Sequence, residues 1–346
     1  MKNKLNQQYI LQFIHQLLTT PSPSGFCHQI MQKIEAEAVR LGYSYETTKK
    51  GCGVITVPGK DHSYVLGLSA HVDTLGAMVR SIKESGMLRF TPIGGYVMST
   101  IEGEYCKIHT RDGRTYDGTV LTTQPSPHVY PEAREQKREE ANMEIRIDEM
   151  VKSNKDVQAL GIRVGDFISF DARTMIGENG FIKSRHLDDK AGVAVIFGLL
   201  EMLSRENIVP THTLKILIST YEEVGHGASY IPPEIDELLA IDMGSMGDDL
   251  CCSEQDVSIC AKDSSGPYDY DMVTKLINLA KKENLKYVVD IYPFYGSDVS
   301  AALKGGNNIR GALIGPGVHA SHGMERTHVE GLLNTAALLA AYVVSA

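Results

Sequence analysis

The chain has 346 residues, 42% of them apolar and 22% charged, with 34 Lys and Arg against 43 Asp and Glu. That length can bury one large core or two of common size, and the composition is that of a globular protein rather than a disordered or fibrous one. The net charge of −9, with no long Lys/Arg cluster, argues against a general nucleic-acid surface, and the absence of Trp argues against an aromatic-lined sugar cleft.

In chain order, MKNKLNQQYILQFIHQLL reads as an amphipathic first helix; polar residues interrupt it and no small-residue cleavage signal follows, so a cytoplasmic protein is expected. TTPSPSG is a punctuated turn, and FCHQIMQKIEAEAVRLG has helical apolar spacing up to Gly42. Strands CGVITV and SYVLGLSA follow, split by the turn PGKD, and the second runs out at His71 in AHVDTLG. From about Ala77 to Phe170 short candidate strands alternate with glycines and polar turns, as in MLRFTPIGG, EYCKIHTRDGRTYDGTVLT and RVGDFISFD. This predicts a β-rich domain over 77–170, with a more helical, solvated portion in QKREEANMEIRIDEMVKSNKDVQAL. KSRHLDDKAGVAVIFGLLEMLSREN reads as a turn into a helix, and THTLKILIST as a strand buried in a mixed or parallel sheet.

Strands around LLAIDMG and KYVVDIYP come next, with a helix from about Tyr270 to Glu283 between them. The apolar end, LLNTAALLAAYVVSA, is too short for a confident membrane span and reads as a packed helix. The expected architecture is an α/β/α sandwich built from 1–76 and 171–346, with the β-rich segment inserted. Six cysteines show no CxxC spacing and are expected reduced; Cys251 and Cys252 read as a buried strand-end pair rather than metal ligands.

Apolar segments repeatedly stop at residues able to hold metals: His71 and Asp73, Asp188, the adjacent Glu222 and Glu223, Asp242, and then His319, His322 and His328. Each has an ordinary reading. Asp-Asp before a helix suits an N-cap, a strand-end HxD can be a surface pair, and three histidines exceed what one site needs. Together, at the carboxyl ends of strands, they suit one crevice, and divalent cations would compensate charges otherwise costly to bury. Mixed imidazole and carboxylate donors suit Zn, Co or Mn better than a thiolate or all-oxygen site, and two such ions can activate a shared water while polarising a carbonyl.

The order and placement of PSPSG, AHVDTLG, RHLDDKAG, YEEVG, AIDMG and SHGMERTH resemble the cytosolic tetrahedral-aminopeptidase family, known also through glutamyl aminopeptidases and some members named endoglucanases. The likeness runs over nearly the whole chain. It implies a dinuclear metallopeptidase with an α/β/α sandwich and an inserted small β-barrel-like domain serving oligomerisation and substrate access. It also implies a homo-oligomer, often a hollow tetrahedral dodecamer that admits short peptides with a free N-terminus.

By resemblance, His71 and Asp242 complete one metal site, Glu223 and His322 the other, and Asp188 bridges the two ions, zinc with cobalt or manganese as alternatives. Glu222 is the implied general base and Asp73 orients His71. The chain departs from the commoner pattern at EEVGHG, which introduces His226, and at HASHGMERTH, where relatives have a segment like RYxHSP; His322 is preferred as ligand, with His319 the runner-up. An N-acyl amino acid hydrolase and a non-catalytic metal-stabilised assembly protein are the competing readings. A glycosidase fits poorly, because adjacent acids cannot flank a sugar bond from opposite sides.

Overall fold

The computed structural model describes residues 1–345. Its centre is a nine-stranded sheet in the order Ser44–Thr47, Gly53–Val57, His212–Ser219, Asp61–His71, Glu237–Ile241, Arg310–Pro316, Val257–Asp263 and Gly266–Pro267, with Tyr287–Ile291 also paired to Val257–Asp263. His212–Ser219, Asp61–His71, Glu237–Ile241 and Arg310–Pro316 run parallel, so their carboxyl ends share one edge; the register sets Ser219 beside His71.

Alternation along these strands feeds two cores. Leu239 and Ile241 join Leu68, Ile216 and Ile314 under the helices Gln7–Leu18, His28–Arg40, Leu187–Arg205, Tyr270–Lys282 and Val329–Val344. Leu238 and Ala240 face the other way with Val54, Leu217 and Leu313, covered by Ile231, Ile235 and the short helix Asp298–Lys304. The result is an α/β/α sandwich with one thick and one thin helical layer. Among the described residues no helix is long and apolar enough to cross a membrane.

Six strands, Gly76–Ile82, Leu88–Ile93, Met143–Ile147, Thr115–Thr122, Tyr105–His109 and Phe167–Phe170, close into a barrel. Its interior is a separate core that includes Val79, Phe90, Ile108, Val120, Ile145 and Ile168. The charged stretch expected to be partly helical holds the one-turn 3-10 helix Glu140–Asn142 and the six-residue helix Asn154–Ala159, and its MEIRI segment is instead a barrel strand. Met143, Ile145 and Ile147 are buried at every second position, and this two-residue period decided the outcome over the surrounding charge.

Two central strands, Val257–Asp263 and Arg310–Pro316, were not anticipated. In RGALIGP two glycines interrupt the apolar residues, and a Cβ at Gly311 would lie 2.2 Å from Val299 Cγ1 and one at Gly315 only 1.7 Å from the Asp242 carbonyl. Close backbone approach, not a turn, requires those glycines. All six cysteines are free, but only Cys252 of the adjacent pair is buried; Cys251 is exposed, which corrects the expectation of a buried pair.

Candidate active site

The shared strand edge brings the predicted residues together. His71 ends its strand and Asp242 follows Glu237–Ile241 directly. Asp188 lies in the first turn of Leu187–Arg205. His322 arrives from far along the chain because Glu325–His328 pairs with Phe181–Ser184, register Ser184 to Glu325, which folds SHGMERTH back onto the segment just before Asp188. Glu222 and Glu223 are not on the strand: it ends at Ser219, and they occupy a one-turn 3-10 helix closed by Gly225 at φ +84°. Their different directions therefore come from a turn and not from strand alternation.

Asp188 sits between two imidazoles. Its Oδ1 is 3.1 Å from His71 Nε2 and its Oδ2 is 3.4 Å from His322 Nε2. His322 Nε2 is also 3.5 Å from Glu223 Oε2, and His71 Nε2 is 3.8 Å from Glu222 Oε2. Both rings turn Nδ1 to a main-chain carbonyl, His71 to Asp73 at 3.0 Å and His322 to Gly95 at 2.5 Å. A carbonyl only accepts, so each Nδ1 carries a proton and donates it. Neutral rings then aim the Nε2 lone pairs at carboxylate oxygens, which is favourable only with a cation, a proton or a metal ion, between them.

Charge and burial lead to the same point. His71, Asp188 and Asp242 are buried, and the Glu223 side chain is 3% exposed. Burial pushes the carboxyls of Glu222 and Glu223 well above the usual range. Burial, reinforced by the negative charge of Asp188, pushes Asp242 up to about 7. For Asp188 burial acts in the same direction, but hydrogen bonds from His322 and His71 outweigh it and hold this carboxyl low. Burial disfavours a charged His322, yet Asp188 raises the ring to about 10. Glu223 Oε1 is buried with no hydrogen-bond partner. Excess carboxylates, lone pairs aimed inward and an orphaned oxygen fit divalent cations.

Ligand atoms of His71, Asp189 and Asp242, and of His71, Asp188 and Glu223, lie within 4.8 Å of one another in each group. Asp189 nevertheless has occupied oxygens: Oδ1 accepts from the Gly192 N–H at 2.9 Å and Oδ2 from the His71 N–H at 3.2 Å. The capping role weighed for the Asp-Asp pair thus belongs to Asp189, while the side chain of Asp188 faces the imidazoles.

Asp73 does more than orient His71. Its carboxylate is 3.6 Å from His71 Nδ1, farther than its own carbonyl, and instead accepts the N–H groups of Glu222 at 3.1 Å and Glu223 at 3.2 Å plus the Ser24 hydroxyl at 2.5 Å. Of the other histidines, His319 and His226 are exposed, the latter stacked on Tyr221 at 4.9 Å, and His328 caps the last helix by accepting the Glu330 N–H. Glu325 and Gly95 were missed. Glu325 accepts the N–H of Asp188 at 3.1 Å and of His322 at 3.0 Å, tying the two segments together; its signal was the acid three positions after His322. Burial, then the nearby Asp188, pushes its carboxyl up to about 8.

The family described as M42 glutamyl aminopeptidase matches residues 51–338. A Bacillus subtilis (strain 168) relative, "Putative aminopeptidase YhfE", is 49% identical over 336 residues, 97% of either chain. The glutamyl aminopeptidase of Lactococcus lactis subsp. cremoris (strain MG1363) is 30% identical over 204 residues, 58% of this chain and 56% of that one. Among solved structures, aminopeptidase APDkam598 of the archaeon Desulfurococcus kamchatkensis superimposes with TM-score 0.88 at 24% identity, covering 98% of this chain and 96% of its own. The Pyrococcus horikoshii TET1 peptidase, which can assemble into a tetrahedron or a large octahedral shell, gives 0.84 at 21% identity, with 97% and 100% covered.

Proposed function

The chain belongs to the M42 glutamyl aminopeptidase family and is a metal-dependent aminopeptidase, and from that premise we propose how its own residues divide the work. His71 and Asp242 would hold one divalent ion and Glu223 and His322 a second, with Asp188 the ligand they would share. The observation that carries this assignment is the single Asp188 carboxylate set between two imidazoles that both present Nε2 to it. Zinc suits these donors, with cobalt or manganese as alternatives. Ions bound there supply Lewis acidity, polarising the scissile carbonyl and lowering the pKa of a water.

Glu222 is the general base. It takes a proton from the attacking water and passes it to the leaving amine. Among the described residues its carboxylate accepts no hydrogen bond, while its N–H is pinned on Asp73, so the side chain is free to handle protons on a fixed backbone. Asp73 is a positioning residue: its carbonyl fixes the tautomer of His71, and its carboxylate holds the turn that aims the two glutamates.

The substrates are short peptides with a free N-terminus. Residues 1–76 and 171–346 form the catalytic domain and 77–170 an inserted β-rich domain serving assembly and access. The assembly is a cytoplasmic homo-oligomer, a tetrahedral dodecamer by likeness to the archaeal shells. Chelation followed by restoration with zinc, cobalt or manganese, assayed on free-amine peptides and N-acylated amino acids, tests this reading. Metal-dependent turnover of the free-amine peptides alone is expected. Turnover confined to N-acylated substrates, or a metal effect on particle size without turnover of any peptide, would contradict it.

A further inference from the structure

The two imidazoles are held in unequal ways. His71 is 2% exposed, so packing fixes its ring as well as the Asp73 carbonyl. The His322 side chain is 40% exposed and springs from a loop residue with φ +61°, so little packing restrains it. Its Nδ1–H is instead taken by the carbonyl of Gly95, a residue of the β-barrel segment. We propose that the Gly94–Gly95 turn of the barrel is a positioning element of the metal site, its Gly95 carbonyl fixing the tautomer and direction of His322 and so setting affinity for the second ion. The inserted segment then acts within the catalytic centre, beyond its role in assembly. This rests on the reading of His322 as a ligand.

The turn is built to hold that carbonyl in place. It follows the barrel strand Leu88–Ile93 with Gly94 at φ +78°, where a Cβ would lie 2.5 Å from Leu75 Cδ2 and 3.6 Å from Glu223 Cβ. The tip of Leu75 can shift and Glu223 Cβ stands at ordinary van der Waals distance, so what position 94 demands of glycine is its positive φ, which L side chains rarely adopt. Tyr96 anchors the other end: its hydroxyl donates to the Gly76 carbonyl at 2.9 Å, and its ring meets Phe170 edge-on at 5.7 Å. A Cβ at Gly95, by contrast, would have no atom within 4 Å. The conformation of Gly94 and the anchor at Tyr96 are therefore the parts that matter, and the side chain at 95 is not.

The test is a zinc titration by chelator competition on the full-length protein, resolving the two binding steps for wild type, Gly94→Ala, Tyr96→Phe and His322→Ala, with circular dichroism as the folding check. Gly94→Ala is expected to weaken the second zinc by about 10- to 100-fold, the range for lost outer-shell partners, and to leave the first unchanged. Tyr96→Phe should weaken the second step to a smaller extent. Should Gly94→Ala fail to fold, Tyr96→Phe carries the test alone. Wild-type second-site affinity in Gly94→Ala and Tyr96→Phe, or equal weakening of both steps, overturns the positioning role. Two tightly bound zinc ions in His322→Ala overturn the ligand reading itself, and the proposal with it.

Discussion

Replacing Asp188 with Asn probes the bridge directly. The change keeps the size of the side chain, removes one negative charge and leaves a single acceptor oxygen. The native carboxylate places Oδ1 3.1 Å from His71 Nε2 and Oδ2 3.4 Å from His322 Nε2, so the amide can serve one side only and turns an NH2 group toward the other. At an effective dielectric of 20, unit charges 4 Å apart interact by about 4 kcal/mol, so losing the carboxylate charge should weaken each ion by at least about 100-fold. Zinc titration by chelator competition reads both steps. Both should weaken in Asp188→Asn, only the first in Asp242→Asn and only the second in His322→Ala. Wild-type affinity at either step in Asp188→Asn would refute the bridge.

Three further outcomes follow from the geometry. Ser24→Ala removes the hydroxyl donor from the buried Asp73 carboxylate and should lower unfolding free energy by about 1.5–3 kcal/mol in denaturant melts of the apo-protein. His328→Ala should cost about 1 kcal/mol as a lost helix cap, and like His319→Ala it should leave the bound-metal ratio intact, unlike His322→Ala. Burial, helped by Lys107, lowers His109 to about 4. The unfolded chain binds its proton first, so stability should fall as pH drops from about 6.5 to about 4, by on the order of 2–3 kcal/mol, and His109→Gln should flatten that slope.

The sequence made several metal-capable residues readable because they follow an apolar run that had to be a strand, and parallel strands end on one edge. His71 and Asp242 are direct examples. What it concealed had physical causes. Arg310–Pro316 is a central strand disguised by Gly311 and Gly315, which are there for close approach to Val299 and Asp242. Met143–Ile147 lies in a charged stretch whose period of two is visible only over five residues. Asp188 and Asp189 look equivalent in sequence, and only the bonds from Gly192 and His71 to Asp189 separate cap from site residue. Gly95 contributes a carbonyl, which every residue has, so no residue type could have announced it.

Whether Glu222 moves protons while its neighbour Glu223 holds metal is decided by Glu222→Gln, measured for bound zinc and peptide turnover on the same sample. Two zinc ions per subunit are expected, with a fall in kcat of about 100- to 10,000-fold, the usual contribution of a general base. Turnover near the wild-type rate with both metals bound would contradict that role of Glu222.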